Sequence, residues 1–229
     1  MGMTAWRHNS LMAALRPGDA AALIAAGTLK RYAAGSVLLH EGEASRYVLV
    51  VLSGYVKITA HNAEGEVSLL AIRGAGDLLG ELAALDGQPR SATATAAGVV
   101  HAVWVSAQAF RAFRARHPEA AEEVSRSAAA KLRSATARRI DLTGVSVKVR
   151  VARVLVELAA SHGRTTRRGT SLAFPLAQPE LAALVGAAER SAHKALTELR
   201  AVGWVATGYR SVTILDYISL SELAGWQAG

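Results

Sequence analysis

The chain contains no cysteine, which excludes disulfides, thiolate-held metals and iron–sulfur clusters. It has no uninterrupted apolar run of membrane-spanning length either, although 51% of its 229 residues are hydrophobic. A soluble globular protein without a membrane partner is therefore expected, long enough for one large or two modest domains. The first residues lack the apolar stretch of a secretory signal, so a cytoplasmic location is the default expectation. Also missing are an HExxH motif, a dense Asp/His cluster and a nucleophile motif. His40-Glu41-Gly42-Glu43 alone does not make a metal site, so no catalytic residue, no metal and no enzyme activity is expected, and a nucleotide-processing enzyme is the remote alternative. Acidic residues are the minority charge: 18 Asp+Glu stand against 26 Lys+Arg, a formal +8 that favours polyanionic partners. The C-terminal residues 145–229 hold 10 basic and 6 acidic side chains, a modest enrichment in positive charge per residue.

The most informative stretch is Gly80-Glu81-Leu82 followed, after six residues, by Pro89-Arg90-Ser91-Ala92-Thr93. It sets one carboxylate and one guanidinium at the ends of a short turn of small residues. A phosphate needs a fixed bidentate cation and backbone N–H groups beside it, and Arg90 with the amides around Ser91 and Ala92 supplies both. Glu81 is an acceptor for a ribose hydroxyl. A cyclic nucleotide offers both groups at once, whereas the plainer alternative is a surface salt bridge between Glu81 and Arg90.

Around this turn, Leu29 to Val105 reads as short strands, with alternation in Tyr47–Leu52 and Tyr55–Thr59 and glycine turns between them, as in a barrel or sandwich of jelly-roll type. A helical segment from Ser10 to Ala26 precedes it. A long helix is predicted from Pro118 to about Leu142, which holds no glycine or internal proline. Its thin apolar face, Val124, Ala128, Leu132 and Ala135, suits either pairing with a second copy or packing on the barrel. Thr143-Gly144 breaks the run and marks a boundary and hinge. Beyond it Val147, Val151, Val154, Leu155 and Leu158 share one helix face, with Lys148, Arg150 and Arg153 elsewhere. Ser161 to Thr170, carrying Arg164, Arg167 and Arg168, reads as a basic loop.

Pro179–Val185 and Glu189–Val202 read as two short amphipathic helices around Gly186-Ala187-Ala188, the pattern of a helix-turn-helix. Trp204-Val205, a Gly208-Tyr209 turn and Ser211–Leu215 then form a hairpin. In such a motif the N-terminal residues of the second helix meet base edges, here Glu189, Arg190, Ser191, His193 and Lys194. Arg190 or Lys194 donates to guanine and Glu189 accepts from cytosine. His193 either touches a phosphate or is an inert surface side chain, and Arg167 is a further phosphate-contact candidate.

Gly80-Glu81-Leu82 with Pro89-Arg90-Ser91-Ala92 resembles the phosphate-binding cassette of cyclic-nucleotide-binding domains. Ala34-Gly35-Ser36-Val37-Leu38-Leu39-His40-Glu41-Gly42-Glu43 resembles the early strand and turn of that barrel, and Leu52-Ser53-Gly54-Tyr55-Val56-Lys57 the following hairpin. With the helix-turn-helix, nearly the whole chain is similar to the cyclic-AMP receptor protein and FNR-type family of bacterial transcription regulators. The resemblance implies an α+β protein: a jelly-roll cyclic-nucleotide-binding domain over 1–117, a central dimerisation helix and hinge over 118–144, and a winged helix-turn-helix over 145–229. It implies a homodimer on palindromic double-stranded DNA, a cyclic nucleotide, cyclic AMP first, as effector, no covalent cofactor, and leaves RNA polymerase open as a partner. Gly80, Glu81, Leu82, Arg90, Ser91 and Ala92 become the ligand residues. Ala135-Thr136 falls where the family carries two hydroxyl residues on the adenine base. Thr136 keeps one hydroxyl and Ala135 has lost the other, so cyclic GMP, another nucleotide, haem or no ligand stays open. Where well-known members carry Arg-Glu and a later Arg, this chain has Glu189-Arg190 and Lys194, so the family's usual operator is not implied.

Overall fold

The computed structural model describes residues 6–61 and 64–225. Its contacts divide the chain into two units, Met1–His61 with Ala71–Ser134, and Asn62–Leu70 with Ala135–Gly229.

The first unit starts with α1 (Leu11–Ala14), capped by the Ser10 hydroxyl, and α2 (Pro17–Ala25). A single helical segment over Ser10–Ala26 is thus corrected to two. Pro17 has no N–H to donate and its ring excludes a helical carbonyl four residues earlier, so it can only begin a helix. Arg16 before it is accordingly extended, with ψ 145°.

Strands β1 (Thr28–Tyr32), β2 (Val37–Leu39), β3 (Val48–Ser53), β4 (Tyr55–His61), β5 (Val67–Gly74), β6 (Leu78–Leu79), β7 (Thr93–Ala96) and β8 (Val100–Val105) build two four-stranded sheets, ordered β1-β8-β3-β6 and β2-β7-β4-β5. These are the two layers of the expected jelly roll. The helix α3 (Glu81–Asp86) leaves β6 directly, and α4 (Ala107–Arg116), capped by Ser106, follows β8. Val48, Leu49, Val50 and Val51 of β3 are all fully buried, which corrects the alternation expected over Tyr47–Leu52: the strand is covered on both faces. Val48 and Val50 join Leu11, Met12, Leu23, Phe110 and Phe113 on the helical side, while Leu49 and Val51 pack with Leu38, Val56 and Ala94 between the sheets.

The long helix α5 runs Pro118–Gly144, which corrects the break expected at Thr143-Gly144. Both residues are tolerated in the last turn of the helix, and the chain leaves it at Val145-Ser146, where Ser146 is extended and caps the next helix. Its apolar face divides along its length: Val124 is fully buried in the helical-side cluster, whereas Leu132 and Ile140 are 69% and 65% exposed.

In the second unit α6 (Val147–His162), capped by Ser146, buries Val151, Val154, Leu155 and Leu158 of the predicted face and leaves Val147, in its first turn, half-buried. β9 (Gly163–Thr166) and β10 (Gly169–Leu172) pair as a hairpin, correcting the basic loop expected over Ser161–Thr170. Then come α7 (Gln178–Leu184), α8 (Glu189–Ala201), β11 (Val205–Gly208), β12 (Ser211–Ile214) and α9 (Tyr217–Ala224), with sheet order β11-β12-β10-β9. The hairpin forms because Gly169, at φ +131°, lets β10 close on β12: a Cβ there would lie 2.1 Å from the Ile214 carbonyl.

Candidate functional site

Two short elements position the first site. β6 pairs with β3 through Leu49↔Leu79 and Val50↔Leu78, and the chain turns at Gly80 into α3. Gly80 has φ +81°, and a Cβ on it would meet Arg90 Nη1 at 2.4 Å, so only glycine admits the guanidinium here. Arg90 is 4% exposed. Its Nε donates to Ser45 Oγ at 3.2 Å, Nη1 to the Gly80 carbonyl at 2.7 Å and Nη2 to the Tyr47 carbonyl at 2.5 Å. The guanidinium carbon lies 5.0 Å from the centre of the Tyr47 ring, a cation–π distance. Backbone bonds fix the residue in turn: Arg90 N–H donates to the Glu43 carbonyl at 2.9 Å, and Gly42 N–H to the Arg90 carbonyl at 2.8 Å. Burial depresses the Arg90 pKa, with Tyr47, Glu43 and Glu81 opposing the shift, and a guanidinium stays charged under such a load. The same burial raises the Tyr47 phenol, which donates to the Leu38 carbonyl at 2.8 Å.

Glu81 is buried, at 5% exposure, and its partner is Lys131 of α5. The Lys131 ammonium donates to Glu81 Oε1 at 2.7 Å and to the Leu78 carbonyl at 2.8 Å. The simple surface salt bridge between Glu81 and Arg90 is thereby replaced: both groups are buried, and each has its own partners. Leu82 is 48% exposed at the start of α3, Ser91 is exposed, and Ala92 is half-buried just before β7. Thr136 lies on the exposed surface of α5.

The second site is α7, the turn at Gly186 and α8. Leu181, Ala182, Leu184 and Val185 are buried on one side, and Ala192, Ala195, Leu196 and Leu199 on the other. Gly186, at φ +60°, turns the chain between the helices. The opposite face of α8 leaves Glu189, Arg190, Ser191, His193 and Lys194 exposed within its first two turns. His193 is not a free side chain, since its Nδ1 lies 2.9 Å from Gln178 Oε1 and ties α8 to the start of α7. Arg167 is exposed at the β9–β10 turn, on a different element from α8.

Residues 29–117 match the family model of the cyclic nucleotide-binding domain, and residues 149–223 match that of the Crp-like helix-turn-helix domain. A CRP-like cAMP-activated global transcriptional regulator from Mycobacterium tuberculosis is 34% identical over 190 residues, 83% of this chain and 85% of the relative. The chain belongs to the CRP family of transcription regulators. A CRP-family regulator from Thermus thermophilus superposes with TM-score 0.71 at 28% identity, covering 86% of this chain and 96% of that one. The c-di-GMP-responsive regulator CLP of Xanthomonas campestris shares the fold, with TM-score 0.74 at 20% identity over 87% of this chain and 99% of its own.

For this CRP-family chain the sequence points to the cassette but not to what holds it. Ser45 and Tyr47 support Arg90, and Lys131 neutralises Glu81 from a helix fifty residues away. Lys131 carries a usable signal in that it falls on α5 one turn before Ala135-Thr136, but nothing local identifies its partner. Among the described residues no helix is long and apolar enough to cross a membrane, and no cluster of His, Asp and Glu is arranged to hold a metal ion.

Proposed function

We propose that this regulator responds to a cyclic nucleotide, cyclic AMP, and binds palindromic DNA as a cytoplasmic homodimer without enzyme activity of its own. The observation that carries the ligand reading is a pair of buried opposite charges that do not neutralise each other. Arg90 uses three donors on Ser45, Gly80 and Tyr47, and a guanidinium has five, so two N–H groups remain for an anion. Glu81 accepts from one ammonium and a carboxylate has further lone pairs for a hydroxyl. A cyclic phosphodiester on Arg90, Ser91 and Ala92 with its ribose hydroxyl on Glu81 uses both. The cAMP-activated relative from Mycobacterium tuberculosis supports cyclic AMP, and Thr136 is the candidate base contact.

Dimerisation is assigned to the exposed Leu132 and Ile140 of α5. A two-fold dimer then presents two α8 helices to half-sites about one helical turn apart. Calorimetric titration with cyclic AMP, cyclic GMP and cyclic di-GMP tests the effector, and an absorption spectrum tests for haem. Binding of cyclic AMP is expected, and a Soret band or exclusive binding of another nucleotide overturns the assignment. In-vitro selection on wild type and Arg190→Ala tests the DNA reading. The expected result is a palindrome in which loss of Arg190 relaxes one guanine position at a cost of about 1–3 kcal/mol. Recovery of identical motifs from both proteins removes Arg190 from the interface.

A further inference from the structure

The last ten residues of α5 belong to the same unit as the helix-turn-helix, and charged side chains hold them there. Arg138 Nη2 donates to Glu157 Oε1 of α6 at 2.7 Å, while its Nη1 donates to the Leu70 carbonyl at 2.7 Å, inside the same unit. One turn on, Asp141 pairs with Arg153 of α6, and Arg153 Nε donates to the Ala224 carbonyl at the end of α9, 2.8 Å away. The next residue, Leu142, sits against the helix-turn-helix turn: a Cβ on Gly186 would lie 2.4 Å from Leu142 Cδ2. α6 completes the chain of contacts, because Arg150 Nη1 donates to the Gly186 carbonyl at 3.1 Å and Lys148 Nζ stands 3.3 Å from Glu198 of α8.

Each of these ion pairs is partly shielded from solvent, with side-chain exposures of 25% and 36% for Arg138 and Glu157 and of 38% and 20% for Arg153 and Asp141. Two pairs one helical turn apart, both between α5 and α6, fix a rotation as well as a distance. The two-residue link Val145-Ser146 between α5 and α6 read alone is a joint at which motion of α5 would dissipate. The two nested pairs span that link and bypass it.

We infer that Arg138–Glu157 and Asp141–Arg153 form a clamp that makes residues 135–144 rigid with α6 and α8, so that a change in α5 reaches the recognition helix across the Val145-Ser146 link. These four side chains, held by one another and by backbone carbonyls, are positioning residues. The inference rests on the ligand-responsive reading only for what the clamp transmits, not for its existence.

Two measurements separate the two claims. Hydrogen exchange on the full-length protein without effector reads the clamp directly. In wild type the amides of 135–144 should exchange with the same protection as α6. In the double variant Asp141→Asn with Glu157→Gln they should exchange roughly tenfold faster, because each lost pair is worth a few-fold and the two act on one segment. The charge-reversed pair Arg138→Glu with Glu157→Arg should restore protection in its half of the clamp. Fast exchange of 135–144 in wild type, or no change in the double variant, overturns the inference.

The second measurement is the ratio of DNA affinity with and without saturating cyclic AMP, by fluorescence anisotropy. The double variant should lose about fivefold or more of that ratio while its calorimetric affinity for cyclic AMP without DNA stays at the wild-type value. An unchanged ratio beside faster exchange refutes transmission through the clamp. A wild type whose DNA affinity ignores cyclic AMP refutes the effector reading instead, and the exchange result then decides the clamp alone.

Discussion

Replacing Arg90 with alanine should damage the protein twice, and the two effects are separable. The guanidinium is 4% exposed and donates to two carbonyls and a hydroxyl at 2.7, 2.5 and 3.2 Å. Removing it leaves the Gly80 and Tyr47 carbonyls and the Ser45 hydroxyl short of a donor, and a buried group left unpaired costs about 1–3 kcal/mol. Water entering the vacated space recovers part of this, so the ligand-free protein should lose about 2–4 kcal/mol rather than the full sum. At about 2–4 °C per kcal/mol for a chain of this size, the thermal midpoint of the N-terminal unit should fall by roughly 5–15 °C. The second effect is on the effector. Losing the charge that faces the phosphodiester should weaken cyclic AMP binding by about 3 kcal/mol or more, upwards of a hundredfold.

Arg90→Lys distinguishes the two roles. Its ammonium keeps the charge but not the planar fork, so it can satisfy some of the three oxygens and recover part of the stability while phosphate binding remains impaired. The assay is differential scanning calorimetry without ligand, followed by isothermal titration with cyclic AMP at a temperature where circular dichroism shows all three proteins folded. An Arg90→Ala midpoint equal to wild type would refute the anchoring role. Equal cyclic AMP affinity would refute the cassette assignment whatever the midpoint.

Leu132→Glu places a charge in the exposed apolar stretch of α5 and should convert a dimer to monomers in light scattering at micromolar concentration, with little change in the monomer's thermal midpoint, since Leu132 is 69% exposed. Gly186→Ala forces a side chain into the left-handed region at φ +60° and towards Leu142, and urea unfolding should show a loss of about 1–2 kcal/mol or more; a wild-type midpoint contradicts the turn geometry. The Asp216 carboxyl, which caps α9, has its pKa lowered first by the Ser219 hydroxyl and then by the Ser219 amide. A depressed carboxylate contributes stability that is full above its unfolded value and disappears as pH falls through the folded one, so the contribution should fade below about pH 4. Urea midpoints measured from pH 6 to pH 2 should therefore fall less steeply in Asp216→Asn than in wild type, and parallel curves would remove the cap.

What the sequence carries and what it hides follow different physics. The meeting of Gly80 with Arg90 is legible because its parts are local, within one turn and a short helix, whereas the Glu81 partner Lys131 is fifty residues away and has no local signal. The strands are legible in β3 even though its inner residues do not alternate, because a strand covered on both faces must be apolar throughout. The break at Pro17 follows from the missing N–H of one residue, and reading Ser10–Ala26 as continuous gives that too little weight. The hairpin at Gly163–Leu172 is hidden because its strands are stabilised by β12, about forty residues further on, and not by their own composition.

Charge is the least legible of all, since a sequence gives its sign and not its partner. Lys148, Arg150 and Arg153 read as lying off the apolar face of α6, and on composition alone they would be counted toward polyanion binding. All three are engaged inside their own unit, on Glu198, the Gly186 carbonyl and Asp141. The positive side chains still presented outward by residues 145–229 are Arg190, Lys194 and Arg200 on α8, Arg164 on β9, and Arg167, Arg168 and Arg210 at the two hairpin turns, all exposed. The salt dependence of DNA binding reports the number of phosphates neutralised, at a slope of about −0.9 for each. A slope computed from the net charge of residues 145–229 would thus count cations whose work is structural, and the outward-facing group is the one that should set it.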